Sequence, residues 1–345
     1  MRKITKSPKF QPLIFAVLLV TISVNLPQPS SAQVKTESAS FNLTAGVVVD
    51  PASSALFLMN PAGGIDAIDF SSGRRLWHSN EAAKPLRVDG DLLIAQGEDP
   101  NVSREKTGSS YFDVLVLGSH DGKRRLAAKV GLPDGVWSGV DDGLGSSLKT
   151  EAVRLDDSLV IQWQSDMQEI RGIAPNRSSS GNEALLATAQ RKLAGAVRLD
   201  LQTGQVLTIQ GAAEMIRQEA SKSDVGEGQR IAGLPDSQYT SRNGRHVMSS
   251  EMVGDDRDFL HKYRWTIHSL ATKERIGAVT SPVSRAPFFV SGSTLIYESQ
   301  SYSVRLGDNR LSRERLKVRA VDLLTGGELW ALPLRDTAYR GPFPP

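Results

Sequence analysis

The stretch GLPDGVWSGVDDGLGSS, Gly131 to Ser147, holds the residues best suited by type to do chemistry: Asp134, Trp137, Asp141 and Asp142. Clustered carboxylates suit a hard cation such as calcium, which takes six to eight oxygen ligands. The glycines would let a ligand approach the backbone, and the indole offers a stacking surface. The spacing follows no calcium-loop signature, and a solvated turn accounts for the same residues. Asp255, Asp256 and Asp258 surround Arg257 in a second acidic cluster that reads as a hairpin tip. His78, His120, His246, His261 and His268 are scattered without the spacing of a zinc site and read as surface or edge residues. No Gly-x-Ser-x-Gly nucleophile motif and no phosphate-binding glycine loop occurs. The sequence therefore assigns no catalytic and no metal-ligating residue. Its one candidate binding loop is that of Asp134, Trp137, Asp141 and Asp142.

The elements that would position such a loop are set by a repeat. IDAIDFSSGRRLW, Ile65 to Trp77, and VRAVDLLTGGELW, Val318 to Trp330, align without a gap. GAVRLDLQTGQVL, Gly195 to Leu207, keeps the same Asp-to-Gly spacing. Each phrase predicts a β-hairpin: an alternating strand, a turn closed by a glycine with positive φ, and a returning strand carrying Trp. Phe112 to Val130 and Tyr263 to Val279 fit the same shape, the latter with Lys273 where the others have glycine. The turn positions Gly73, Gly122, Gly204, Lys273 and Gly326 lie 49, 82, 69 and 53 residues apart. A second hairpin precedes each, with turns at Asp89-Gly90, Asp156-Asp157, Asn243-Gly244 and Ser291-Gly292, and a candidate in Gly46 to Asn60. Four short strands per unit, none stable alone, predict an all-β fold. It is a β-propeller of four-stranded antiparallel blades, five to six of them, with room for a degenerate extra blade between Gly122 and Gly204. Tandem β-sandwiches are the competing architecture.

The strand, the Ala-x-Asp-x-x-Thr-Gly turn and the following Trp resemble the repeat of quinoprotein-like propellers, the pyrroloquinoline-quinone-like repeats. The match is carried by Ala67, Asp69, Gly73 and Trp77, by Ala320, Asp322, Thr325, Gly326 and Trp330, and in part by Asp200, Thr203 and Gly204. The resemblance implies that these residues are structural, with Trp packed between blades and the Asp/Thr/Gly group building the turn. The family holds quinone-dependent dehydrogenases with calcium as well as cofactor-free scaffolds. The chain has no cysteine and so lacks the vicinal disulfide of many of those enzymes.

Residues 1–32 read as a secretory signal, with Arg2, Lys3, Lys6 and Lys9, an apolar run from Leu13 to Val24, and small residues at Ser30-Ser31-Ala32. That run is shorter than the roughly 20 residues a membrane span needs. Removing the segment takes the formal net charge from +3 to −1, which withdraws the charge argument for nucleic acid. The expected layout is a signal at 1–32, a linker at 33–44, the propeller at 45–335 and a proline-rich tail at 336–345. The expectation is an exported periplasmic or extracellular bacterial protein with no transmembrane helix in its mature part. It acts as a non-enzymatic binding or scaffold module for a protein or cell-envelope partner, without a cofactor. The alternative is a quinone-type oxidoreductase or carbohydrate-active propeller enzyme, and only then would pyrroloquinoline quinone (PQQ) with calcium be needed.

Overall fold

The computed structural model describes residues 40–97, 111–133, 148–155, 158–174, 185–209, 233–234, 238–253, 262–299, 302–305 and 311–335. Among them every regular element is a strand. Blade 1 holds β1 (Phe41–Thr44), β2 (Val47–Asp50), β3 (Ala55–Met59), β4 (Ile65–Asp69) and β5 (Arg75–Ser79); blade 2 holds β6 (Ala82–Asp89), β7 (Leu92–Gly97), β8 (Tyr111–Gly118) and β9 (Arg124–Gly131). Blade 3 comprises β10 (Leu148–Leu155), β11 (Ser158–Ala174), β12 (Leu185–Leu199) and β13 (Val206–Thr208). Blade 4 comprises β14 (Gln238–Thr240), β15 (His246–Val253), β16 (Lys262–Ser269) and β17 (Arg275–Ser281). Blade 5 begins with β18 (Phe288–Ser291) and β19 (Thr294–Ser299), is interrupted by the hairpin β20 (Tyr302–Arg305) and β21 (Leu311–Glu314), and ends with β22 (Lys317–Asp322) and β23 (Glu328–Pro333). Each blade pairs its strands antiparallel in chain order, with β1 as a fifth strand on blade 1 and β20–β21 as a separate two-stranded sheet. The protein is a β-propeller, and its described residues form five blades. The long spacing between Gly122 and Gly204 is filled in part by the overlong β11–β12 hairpin, whose register runs from Leu159↔Leu199 out to Ala174↔Leu185.

One hairpin geometry recurs in all five blades. The amide of Gly73 donates to the Asp69 carbonyl (2.8 Å) and the amide of Asp69 to the Arg74 carbonyl (2.9 Å); the same pair of bonds closes the turns at Gly122, Gly204, Lys273 and Gly326. Gly73 has φ 69°, and Lys273, a residue with a Cβ, adopts φ 60° to keep the geometry. The fourth turn residue caps each loop with its side-chain oxygen. Ser72, Asp121, Thr203, Thr272 and Thr325 each accept from the amide two residues on. Where an Asp opens the turn it accepts further bonds. Asp69 takes Ser71 Oγ, the Ser72 amide and Ser72 Oγ, and Asp200 and Asp322 take amides of their own turns. These bonds favour the ionised form and hold the Asp69 and Asp200 carboxyls below their usual range.

The turns are also the seams. Trp77 of blade 1 donates from Nε1 to the Ser119 carbonyl of blade 2 (2.9 Å), and Trp330 of blade 5 donates to the Phe70 carbonyl of blade 1 (3.0 Å). Each indole lies on the turn glycine of the blade it touches: a methyl at Gly73 would fall 2.5 Å from Trp330 Cγ, and one at Gly122 2.6 Å from Trp77 Cε3. Blade 2 puts Leu126 in the same place, against Gly204 of blade 3. Blade 4 puts Gly277 there, so close to the Leu323 carbonyl of blade 5 that no side chain fits. Behind these contacts, Phe289 of blade 5 is edge-on to Phe41 and Phe70 of blade 1, with centroids 5.5 and 5.9 Å away. Trp265 of blade 4 meets Tyr297 of blade 5 at 4.9 Å. The first and last blades are therefore neighbours, with no strand exchanged between them among the described residues.

Two expectations are separated here. Trp163 and Trp265 are buried in the core, as their alternating strands require. His268, read as a surface or edge residue, is instead buried on β16, where burial and then the nearby Arg275 charge push its pKa down. An isolated His in an alternating strand carries no sequence mark of the face it takes.

Substitution at the turns separates strain from packing. Gly73→Ala should cost at least 2 kcal/mol more in chemical denaturation than Gly90→Ala, because Gly90 (φ 61°) has open space around it. Lys273→Gly should stabilise by about 1 kcal/mol through loss of the left-handed strain.

Candidate functional site

A cavity of about 530 Å³ opens on the innermost strands, where blades 1, 2 and 3 and the first turn of blade 4 converge. Blade 1 contributes Asn42 and Thr44 of β1, blade 2 contributes Lys84 of β6, blade 3 Thr150 and Glu151 of β10 with Trp163 of β11, and blade 4 Arg242. The alternation of each strand decides this display. On β10, Leu148, Thr150 and Ala152 are buried while Lys149 and Glu151 between them are exposed.

The centre of the site is Lys84. Its ammonium donates to the Thr150 carbonyl (3.2 Å) and to Thr150 Oγ1 (3.3 Å), and the Thr150 hydroxyl donates in turn to Gln96 Oε1 (2.8 Å). This node ties blade 2 to blade 3. Burial pushes the Lys84 pKa down to about 8, opposed by the attraction of Glu151 and reinforced by the repulsion of Lys149. Arg242, also in the lining, donates from Nε to the Leu43 carbonyl of β1 (3.1 Å), and its amide donates to the Phe288 carbonyl of β18 (2.9 Å). It thereby fixes blade 4 to blades 5 and 1. A cation held near half-protonation at pH 8, a guanidinium, amides and an indole form a wall able to bind an anionic group.

Asp134, Trp137, Asp141 and Asp142 lie outside the described residues, as do Asp255, Asp256 and Asp258. Asp69, Gly73, Trp77, Asp200, Gly204, Asp322, Gly326 and Trp330 occupy the turns and outer strands described above, away from the cavity lining. A second polar cluster occurs on blade 1. His78 Nδ1 is 2.7 Å from Asp66 Oδ1, its Nε2 is 2.5 Å from Asn80 Oδ1, and Asn60 donates to Asp66 Oδ2 (2.7 Å). Both imidazole nitrogens are thereby engaged. Sequence reasoning missed Lys84, Gln96, Thr150 and Arg242, because their partners are 54 to 199 residues apart in the chain.

No protein-family model and no curated protein matches the chain. Among solved structures it is similar to the Dos1 propeller at 12% identity, with 81% of this chain and 55% of that chain covered and a TM-score of 0.23. It is similar to a europium-containing methanol dehydrogenase at 13% identity, covering 84% and 68%, with a TM-score of 0.24. A third similarity is to the Cps50 (Swd1) β-propeller domain of Myceliophteria thermophila, at 10% identity, 85% and 87% coverage and a TM-score of 0.26. The chain spans about half the length of the first of these. None of them says what this chain binds.

The buried ammonium has a measurable signature. Lys84 takes up its proton less readily when folded, so its penalty is full below pH 8 and disappears as pH rises toward the unfolded value of 10.5. Lys84→Met should therefore be more stable than the wild type at pH 7, and the difference should shrink steadily between pH 8 and 10.5 in denaturant titrations.

Proposed function

We propose that the chain is an exported, non-enzymatic propeller that binds a protein partner of the cell envelope through its outer strands. The observation that carries this reading is a repeated apolar position. Leu76 on β5, Leu207 on β13 and Leu329 on β23 each stand three residues after the turn glycine, and they are 46%, 60% and 49% exposed. In blades 1 and 5 the register explains the exposure. Ala67 pairs Trp77 and Ile68 pairs Arg75, so Leu76 is the extra residue of a β-bulge; Leu329 is skipped in the same way. The bulge turns Trp inward to the seam and leaves the preceding Leu facing water. Arg125 of blade 2 is skipped likewise.

These residues sit on terminal strands, β5, β13 and β23, whose outer backbone edge pairs with no other described strand. An edge with free main-chain groups and apolar side chains is suited to add a partner's strand. Export rests on the signal-like segment at 1–32, and membership of the pyrroloquinoline-quinone-like repeat family rests on the Asp, Gly and Trp phrases. The enzymatic alternative draws less support, since the described cavity wall offers Glu151 as its one carboxylate.

Site-specific photo-crosslinking in the native envelope tests the reading. Probes replacing Leu76, Leu207 or Leu329 should each give the same discrete adduct. Leu76→Glu with Leu329→Glu should weaken it at least tenfold at unchanged melting temperature, given about 1.5–3 kcal/mol per buried leucine. No adduct at any of the three positions would overturn it.

A further inference from the structure

We propose that the cavity on the inner strands binds a short acidic peptide segment, its carboxylate held by Lys84, Lys149 and Arg242 and its amides by Asn42, Gln162 and Gln164. This deepens the reading of the chain as a protein-binding module and rests on it.

Four observations support the assignment. The volume, about 530 Å³, falls in the range of sites for small organic ligands and is far larger than one inorganic anion needs. The lining carries Lys84, Lys149 and Arg242 against the single carboxylate of Glu151, an excess of positive charge that favours an anionic group. Donors are left over at both fixed cations. Lys84 spends two of its three N–H groups on Thr150, and Arg242 uses only Nε, so among the described residues the third ammonium proton and both terminal guanidinium nitrogens have no acceptor. A carboxylate suits both, since guanidinium pairs with it in a planar fork. Finally, the wall between the charges is mixed, with Pro85, Leu86 and Trp163 for aliphatic groups beside side-chain amides that match a peptide main chain.

The charge state of Lys84 adds a readout. Its ordinary value is lowered to about 8 by burial, with Glu151 and Lys149 of β10 as the facing charges. Protonated Lys84 attracts a carboxylate more strongly than the neutral amine, so affinity should fall by up to about tenfold between pH 7 and pH 9.

Calorimetry on the full mature chain with acetyl-Ala-Glu-Ala-amide, its Gln analogue, glutarate and inorganic phosphate decides the matter. The Glu peptide should bind at least tenfold more tightly than the other three. Arg242→Gln should lose at least tenfold, and Lys84→Met should lose both affinity and the pH dependence. Equal binding of the Glu and Gln peptides, or unchanged affinity in Arg242→Gln, would overturn the assignment. Glutarate or phosphate binding as tightly as the peptide would also overturn it, by making this a site for free anions. Rim adducts without peptide binding would remove this inference and leave the proposed function standing. Peptide binding without rim adducts would do the opposite.

Discussion

Everything in this propeller depends on one contact between neighbouring blades: an outer-strand side chain lying on the next blade's turn, where a glycine leaves room for it. A four-stranded sheet of this size cannot bury its own faces. Stability comes from pressing it against the next, and the chain contains no disulfide to help. The indole of Trp330 does two things at that point. It fills the space above Gly73 and satisfies the Phe70 carbonyl, so apolar burial and a buried hydrogen bond are secured by one residue. Because the seam fixes both the turn and the strand that carries the indole, it also fixes the bulge beside it. The exposed Leu76 and Leu329 of the rim are a by-product of the same geometry.

Departures from the Trp-on-glycine pattern show what the geometry demands. Blade 4 has no glycine at Lys273, yet the chain keeps the left-handed turn, so backbone closure outweighs the local strain of roughly 1–2 kcal/mol. Its outer strand has Gly277 where Trp77 and Trp330 stand, and blade 5 moves its Leu323 backbone into the vacated space. The turn is kept in the first case and the seam between blades 4 and 5 in the second. What varies is whether a side chain or the main chain fills it.

The hairpins were readable in the sequence because their causes are local. Asp69, Ser72 and Gly73 fall within five residues and do their work on each other's amides, so the phrase and its copy at Asp322 to Gly326 show the turn directly. A propeller of five to six four-stranded blades followed from counting such turns, and the described residues form five. Lys273 was placed by register alone, and the structure gives it the glycine conformation. The cavity was not readable. Lys84 meets Thr150 and Arg242 meets Leu43 only after three or more blades are assembled, and a lysine in KPLRVDG differs in no local way from one facing water. The same holds for His268, whose burial depends on neighbours far along the chain. The extra strand β1 had no mark either, since Phe41 to Thr44 is a short segment without a turn glycine of its own before it.

Among the described residues each blade takes its strands from one segment of the chain, blade 5 with a hairpin inserted in it, and the last borrows no strand from the first. Many ring-shaped folds latch their ends by such a loan, which ties the position of the termini to the phase of the ring. Among the described residues that tie is missing. Recombination that copies, deletes or reorders a segment from one blade boundary to the next would leave every remaining sheet whole, and the junctions would be judged only by whether an indole, a leucine or bare backbone meets the neighbouring turn.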